Sequence, residues 1–449
     1  MPYELRCYMN AINKTLAGAL AVILLRCSFV SASSSDFGFS SNNNSGGIAW
    51  TNAFLSGVCT IEAATALGAG SGTAWRPQQN YFTTNSTGQG TLPLSSTNHF
   101  FRLRAVDVST NTPLGYTNLL QSYGLLHTIA GNGGGGLDYV NYWTPAFEGG
   151  YATNAALSRP HYAMADDAGN VLIVDKDSHS VLKVTQDGRI HTVAGTHCFG
   201  FNGDGPAPAT TLMLAAPNGL WVRGDGTFYI LDTLNYKVRR VDTNGIMTTL
   251  FTVSSALPIG RGLWVEDDET DAYFCSGKIL NAWTSTNGVT TLNSTFNDLG
   301  NILVTPKENI VATDRGAGLV YKVDTHGRNI GKATVLYGDG HHNAVVEGES
   351  ALTASLSGVR GIWKFPTDGY LLALHEGDHV LYVDPADRVH IFLPGQSGGT
   401  HAGDEDWFYS PGPKITQSRS VSMDKAGNIY IVENDLGFVR KIDFQRLPW

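Results

Sequence analysis

Charge is scarce in this 449-residue chain: Asp, Glu, Lys and Arg together make up 15% of it. Long amphipathic helices, which need a polar face in water, are not encoded. Basic charge is scarcer still. A net charge of −9 excludes a broad nucleic-acid-binding face, which must be basic to match a polyanion. Cysteine is rare and unpatterned, with five residues in all. Cys7 and Cys27 fall in the N-terminal segment. Cys59, Cys198 and Cys275 are odd in number and lack metal-ligand spacing. They are expected to be mostly buried free thiols, with a Cys198–Cys275 bridge as the alternative. After the N-terminal segment, no apolar run is long enough to cross a bilayer. No nucleophile signature, phosphate-binding loop or Cys-x-x-Cys pair stands out. That removes common signatures but not catalysis, because a site shared between repeats needs no contiguous motif.

What is present reads as all-β: short apolar runs punctuated by Asn-Gly and Asp-Gly, in a chain with 52 glycines. Residues 1–32 have the pattern of a secretory leader. Arg6 and Lys14 precede the apolar stretch Thr15–Leu25, and Val30-Ser31-Ala32 offers a cleavage site. An uncleaved anchor is the alternative, with Arg26 interrupting the run. Residues 33–47 are a Ser/Asn/Gly linker. Residues 48–108 hold strand-like pieces and form a small β-sandwich-like module, with Phe101, Leu103 and Ala105 on one face and Trp75 as an aromatic core residue. A second linker covers 109–124.

From residue 125 the chain repeats. One unit contains Tyr162–Asp166, Gly169–Asp175, Ser180–Val184 and Ile190–Gly195: four short strands with an Asp187-Gly188 turn. Related units follow at Gly219, Gly262, Asn309, Gly361 and Gly427. The last stops after three strands at Phe444, and His127-Thr128-Ile129-Ala130-Gly131 echoes His191-Thr192-Val193-Ala194-Gly195. The strand at 125–131 is therefore expected to complete the last unit and close a ring of six. Four-stranded units stacked radially bury faces that none can bury alone.

The units resemble NHL repeats through Gly169-Asn170-Val171-Leu172-Ile173-Val174-Asp175, the following Val181-Leu182-Lys183-Val184, and Gly200–Pro206 leading to Ala209-Thr210. The resemblance implies a six-bladed β-propeller over 125–449. It implies little about chemistry, because a fold hosts many functions.

In such a ring the first strand of each unit lines the axis. Two rows of residues then face one mouth. His161, Asn218, Arg261, Gly300, Arg360 and Arg419 precede the inner strands, and Asp175, Asp232, Ser276, Asp314, His375 and Glu433 end the second strands. One reading pairs the two rows as salt bridges. Another makes His161, Asn218, Arg261, Arg360 and Arg419 a site for an anionic or carbohydrate-like ligand. Trp221, Trp264 and Trp363 recur at one register, as interblade packing or as a stacking platform. A third reading takes His161, His375 and Glu433 as ligands for zinc or iron, whose coordination suits imidazole and carboxylate. Related six-bladed lyases and lactonases hold a divalent ion on the axis, but the lyases use three histidines where this chain offers two. His341-His342 reads as solvent-exposed. Asp404-Glu405-Asp406 reads as a solvated turn, with calcium as the alternative.

Long loops at 132–160, 196–217, 338–359 and 395–418 share that mouth and carry Tyr139, Trp143, Phe147, Trp407 and Phe408. The expectation is an exported binding or scaffold protein that takes a protein or glycan through the loops around Trp143 and Trp407. A metal-dependent lyase or lactonase is the alternative.

Overall fold

The computed structural model describes residues 4–10, 25–27, 38–41, 47–66, 73–92, 100–109, 114–253, 261–305, 309–398 and 401–447. They form two compact units: 1–125 with 366–368 and 442–449, and 126–365 with 369–441.

The first unit contains a five-stranded sheet in the order Leu25–Cys27, Glu4–Asn10, Phe100–Asp107, Gly57–Ala64, Arg76–Thr83. A three-stranded sheet joins Gly38–Ser41, Gly47–Thr51 and Gly88–Thr91. Alternation in Phe100–Asp107 turns Phe101, Leu103 and Ala105 inward, and both sheets share the resulting core. The core aromatic is Trp50 rather than Trp75, which lies under the Arg102 guanidinium, 4.6 Å from its ring centroid. Glu4–Asn10 and Leu25–Cys27 belong to the stretch read as a leader, and Gly38–Ser41 to the stretch read as a linker. Residues 11–24, most of the apolar run, lie outside the described residues.

The second unit is built from six antiparallel sheets, I to VI. Their first strands are Pro160–Ala165, Pro217–Val222, Leu263–Val265, Leu299–Val304, Val359–Lys364 and Ser418–Met423. Each packs beside the next, and the last packs beside the first, so they close a ring. The second strands show why the sequence demands stacking. Val171–Asp175, Phe228–Asp232, Ile310–Asp314 and Ile429–Glu433 are buried at every residue. A strand buried on both faces reads as a continuous apolar run and needs a neighbour on each side. The outer strand Ile190–Ala194 is only partly buried. Apolar clusters lie between successive sheets, joining Leu172 and Val174 to Leu220 and Ile230, and Val432 and Val439 to Ile173 and Leu182. Each such side chain contributes roughly 1.5–3 kcal/mol.

Sheet VI runs Ser418–Met423, Ile429–Glu433, Phe438–Ile442 and then Leu126–Ala130. The strand from the start of the unit is its fourth member. Gly131 closes the junction: it has φ +100°, and a Cβ there would lie 2.0 Å from the Gly437 carbonyl oxygen. Only glycine tolerates both.

Cys59 and Cys275 are buried free thiols. Cys198 is also free but exposed, so the expected burial fails there and no Cys198–Cys275 bridge forms.

Candidate ligand-binding site

The inner strands of sheets I, II, V and VI each begin with the same backbone defect. Pairing with the second strand skips one residue between Pro160 and Tyr162, Pro217 and Gly219, Val359 and Gly361, and Ser418 and Ser420. The skipped residues are His161, Asn218, Arg360 and Arg419. A bulge leaves one residue outside the ladder and re-aims its side chain. Two positions earlier stand Arg159, Ala216, Gly358 and Gln417, with φ of 151°, 48°, 61° and 49°. These left-handed kinks turn the chain into the strand. Arg261 precedes the inner strand of sheet III by two residues. In sheet IV the skipped pair is Gly300 and Asn301. Gly300 is required because a Cβ there would lie 2.6 Å from the Arg360 carbonyl oxygen.

The structure brings His161, Asn218, Arg261, Arg360 and Arg419 to one cavity of about 520 Å³. Arg159, Lys176 and Arg315 also line it, giving six cations. Five of them are ion-paired: Arg159 with Asp138 and Asp435, Lys176 with Asp177, Arg261 and Arg315 with Asp298, and Arg360 with Glu376. Below the ring the axis is filled. Asn301 Nδ2 donates to Tyr162 Oη at 2.8 Å, linking sheet IV to sheet I. The Trp221 ring lies 6.2 Å from Trp264 and 6.5 Å from Trp363. The tryptophans therefore pack against one another and do not line the cavity.

The two rows do not pair with each other. Asp175 accepts from the Ser158 and Arg159 amides at 2.9 and 2.7 Å, and Asp232 from Ala215 at 2.8 Å. Asp314 accepts from Asn297 and Asp298 at 2.7 and 2.9 Å, and Glu433 from Thr416 at 3.1 Å. Each carboxylate ties down the loop that feeds its own inner strand. Burial pushes the Asp175 and Asp232 carboxyls up to about 6.

The partners of the arginine row stand one residue further on. Arg360 Nη2 reaches Glu376 Oε1 at 2.8 Å, and Arg419 donates to Asn434 Oδ1. Lys176 and Arg315 occupy the same position after Asp175 and Asp314. A shift of one residue at a strand end turns a side chain to the opposite face.

Arg419 is the least compensated of these cations. It is 6% exposed, and among the described residues no carboxylate lies within ion-pair distance of it. Burial, then the charges of Arg360, Arg261 and Arg159, push its pKa well below the usual guanidinium value. Burial and Arg360 likewise push Arg261 down to about 10. His161 Nδ1 donates to Asn218 Oδ1. Burial and the nearby Arg419 hold it well below the usual imidazole value, so it is neutral. Among the described residues, His161 Nε2 and the Nε atoms of Arg261, Arg360 and Arg419 are buried without a hydrogen-bond partner.

No protein-family model matches this chain, and no curated protein matches it. Solved structures do. A structural-genomics protein of unknown function from Bacteroides thetaiotaomicron aligns with TM-score 0.57 at 13% identity, over 88% of this chain and 94% of its own. An auxiliary nutrient binding protein from the same organism aligns with TM-score 0.52 at 12% identity, over 91% and 97%. One from Bacteroides ovatus gives TM-score 0.52 at 11% identity, over 88% and 94%. The shared fold is a β-propeller. At these identities the likeness is one of fold alone.

The propeller does not assemble the metal set read from the sequence. Glu433 is fully buried and bonded to Arg440 at 2.7 Å. His375 Nε2 is 3.3 Å from Asp435, while His161 engages Asn218. Among the described residues, no group of three or more His, Cys, Asp or Glu could hold a metal ion. Asp404 is tied to Arg440 and His401, so the Asp404–Asp406 turn is anchored to sheet VI.

The loop tryptophans are also away from the cavity. Trp143 stacks on His197 at 4.7 Å, and Trp407 packs among Phe408 and Tyr409. Of the loop aromatics, Tyr139 and Phe199 reach the cavity lining. Gly395-Gln396-Ser397-Gly398-Gly399 is a string of the nucleophile-elbow type. It follows the outer strand Val389–Leu393, where the hydrolase motif requires an inner strand followed by a helix.

Proposed function

We propose that this protein is an exported, NHL-type six-bladed propeller that binds a small anionic ligand in its axial cavity. Arg419 carries the reading. A buried guanidinium without a carboxylate is costly unless something compensates it. A ligand anion between Arg261, Arg360 and Arg419 supplies that charge and accepts from their unpartnered Nε groups. Guanidinium forks suit carboxylate and phosphate alike. The volume supports a small molecule, since such sites span about 300–1,000 Å³.

In this reading residues 126–441 form the propeller, and the sandwich-like module precedes it. The long loops build the cavity wall, and any protein or glycan partner meets the protein through that mouth. Export rests on the leader-like pattern of residues 1–32, and N-terminal sequencing of the mature protein tests it. Among the described residues no helix is long and apolar enough to cross a membrane.

The binding test is thermal unfolding with matched pairs of small molecules, each an acid and its amide. A ligand at a hundred times its Kd adds about 2.7 kcal/mol. Acids of the panel are expected to raise the Tm and their amides not to. Equal shifts for both, or none for any acid, would remove the anion reading.

A further inference from the structure

The cavity is chemically two-ended, and the second end narrows the ligand class. At depth stand the buried guanidiniums of Arg261, Arg360 and Arg419. At the rim stand two aromatic rings that no core covers: Tyr139 is 87% exposed and Phe199 is 60% exposed. These are not loose side chains. Tyr139 has φ 63°, a left-handed conformation that is strained for a bulky residue, and its amide donates to Asp177 Oδ2 at 2.9 Å. Lys176 Nζ lies 4.9 Å from its ring centroid. Phe199 meets His179 edge-on at 5.4 Å. The chain holds both rings in water beside a polar wall, and strain held at such a place marks function.

Resting on the anion-binding reading, we infer that the ligand is a short acidic oligosaccharide. Its uronate carboxylate lies against the arginines, and its next sugar packs on Tyr139 or Phe199. A pyranose presents an apolar C–H face suited to an aromatic ring and hydroxyls around its edge. Asn218 and the half-exposed Asp138 carboxylate line the same wall and can hydrogen-bond those hydroxyls.

The test is calorimetry on the full chain with digalacturonic acid and a glucuronate-containing disaccharide. Galacturonic acid, the methyl ester of digalacturonic acid, citrate and inorganic phosphate are the comparison ligands. At least one of the two acidic disaccharides should bind. For digalacturonic acid, if it is the binder, the methyl ester should lose tenfold or more, and galacturonic acid should be weaker than the dimer. Tyr139→Ala together with Phe199→Ala should weaken the disaccharide several-fold and leave the monosaccharide unchanged. If neither disaccharide binds but citrate or phosphate does, through Arg419, the sugar inference fails and the anion reading stands. The same holds if the rim variants bind the disaccharide as well as wild type does. If no acid binds, or if Arg419→Met leaves acid binding unchanged, both fail.

Discussion

Arg419 and Gly300 show at the residue scale how much the ring depends on single side chains. Replacing Arg419 with Met removes an uncompensated buried charge and keeps most of the volume. The unliganded protein should keep its stability or gain about 1 kcal/mol, by analogy with apolar replacement of buried ions, while acid binding falls at least tenfold. Chemical denaturation and calorimetry on one preparation check both. Gly300→Ala should do the opposite, destabilising by about 1–3 kcal/mol because its Cβ meets the Thr313 hydroxyl and the Arg360 backbone.

His390 gives a pH signature. Its ring bonds to Glu347 at 2.6 Å and to Asp384 at 3.2 Å. Burial opposes its charge, but the bonds to Glu347 and Asp384 outweigh burial and raise the pKa. A raised imidazole adds stability that is fully present below the unfolded pKa and is lost as pH rises through the folded one. His390→Gln should therefore cost about 1 kcal/mol at pH 5.5 and less at pH 9. Urea denaturation at the two pH values measures it, and an equal cost at both contradicts the charged pair.

At the scale of elements, the outer strand of sheet VI joins the two ends of the ring. Around it Arg440 bonds to Glu433, Asp404 and the Ala402 and Lys414 carbonyls. Arg440 and Glu433 are both fully buried. Removing one partner leaves the other uncompensated, so Glu433→Ala should cost about 3–5 kcal/mol. Deleting residues 126–130 should expose the edge of Phe438–Ile442 and promote aggregation. Light scattering checks this, and a monomeric deletion variant of wild-type stability would contradict the closure.

The closure was legible because His127–Gly131 repeats His191–Gly195. Arg261 and Arg360 were legible because each stands just before a Gly-x-Trp repeat, Gly262-Leu263-Trp264 and Gly361-Ile362-Trp363, as Asn218 stands before Gly219-Leu220-Trp221. The bulges were not, since a skipped residue leaves no mark in the sequence. Without them the second row came out one residue early, which exchanged Asp175 for Lys176 and His375 for Glu376. Trp143 and Trp407 look like binding residues because they are aromatic and in loops, but their partners, His197 and Tyr409, are fixed only by the fold.

In the whole molecule, scaffold and site are separate. Stacked sheets supply rigidity, the lower axis is filled by Tyr162, Asn301 and three tryptophans, and the upper axis holds the buried Arg419 guanidinium with no carboxylate at ion-pair distance among the described residues. The most direct measurement is the affinity of the best acid from the panel for three proteins: wild type, Arg360→Gln/Arg419→Met and Trp143→Ala/Trp407→Ala. The axial double variant should lose tenfold or more, and the loop variant should keep wild-type affinity. Wild-type affinity in the axial variant, with loss in the loop variant, would place the site on the loops and contradict the axial one.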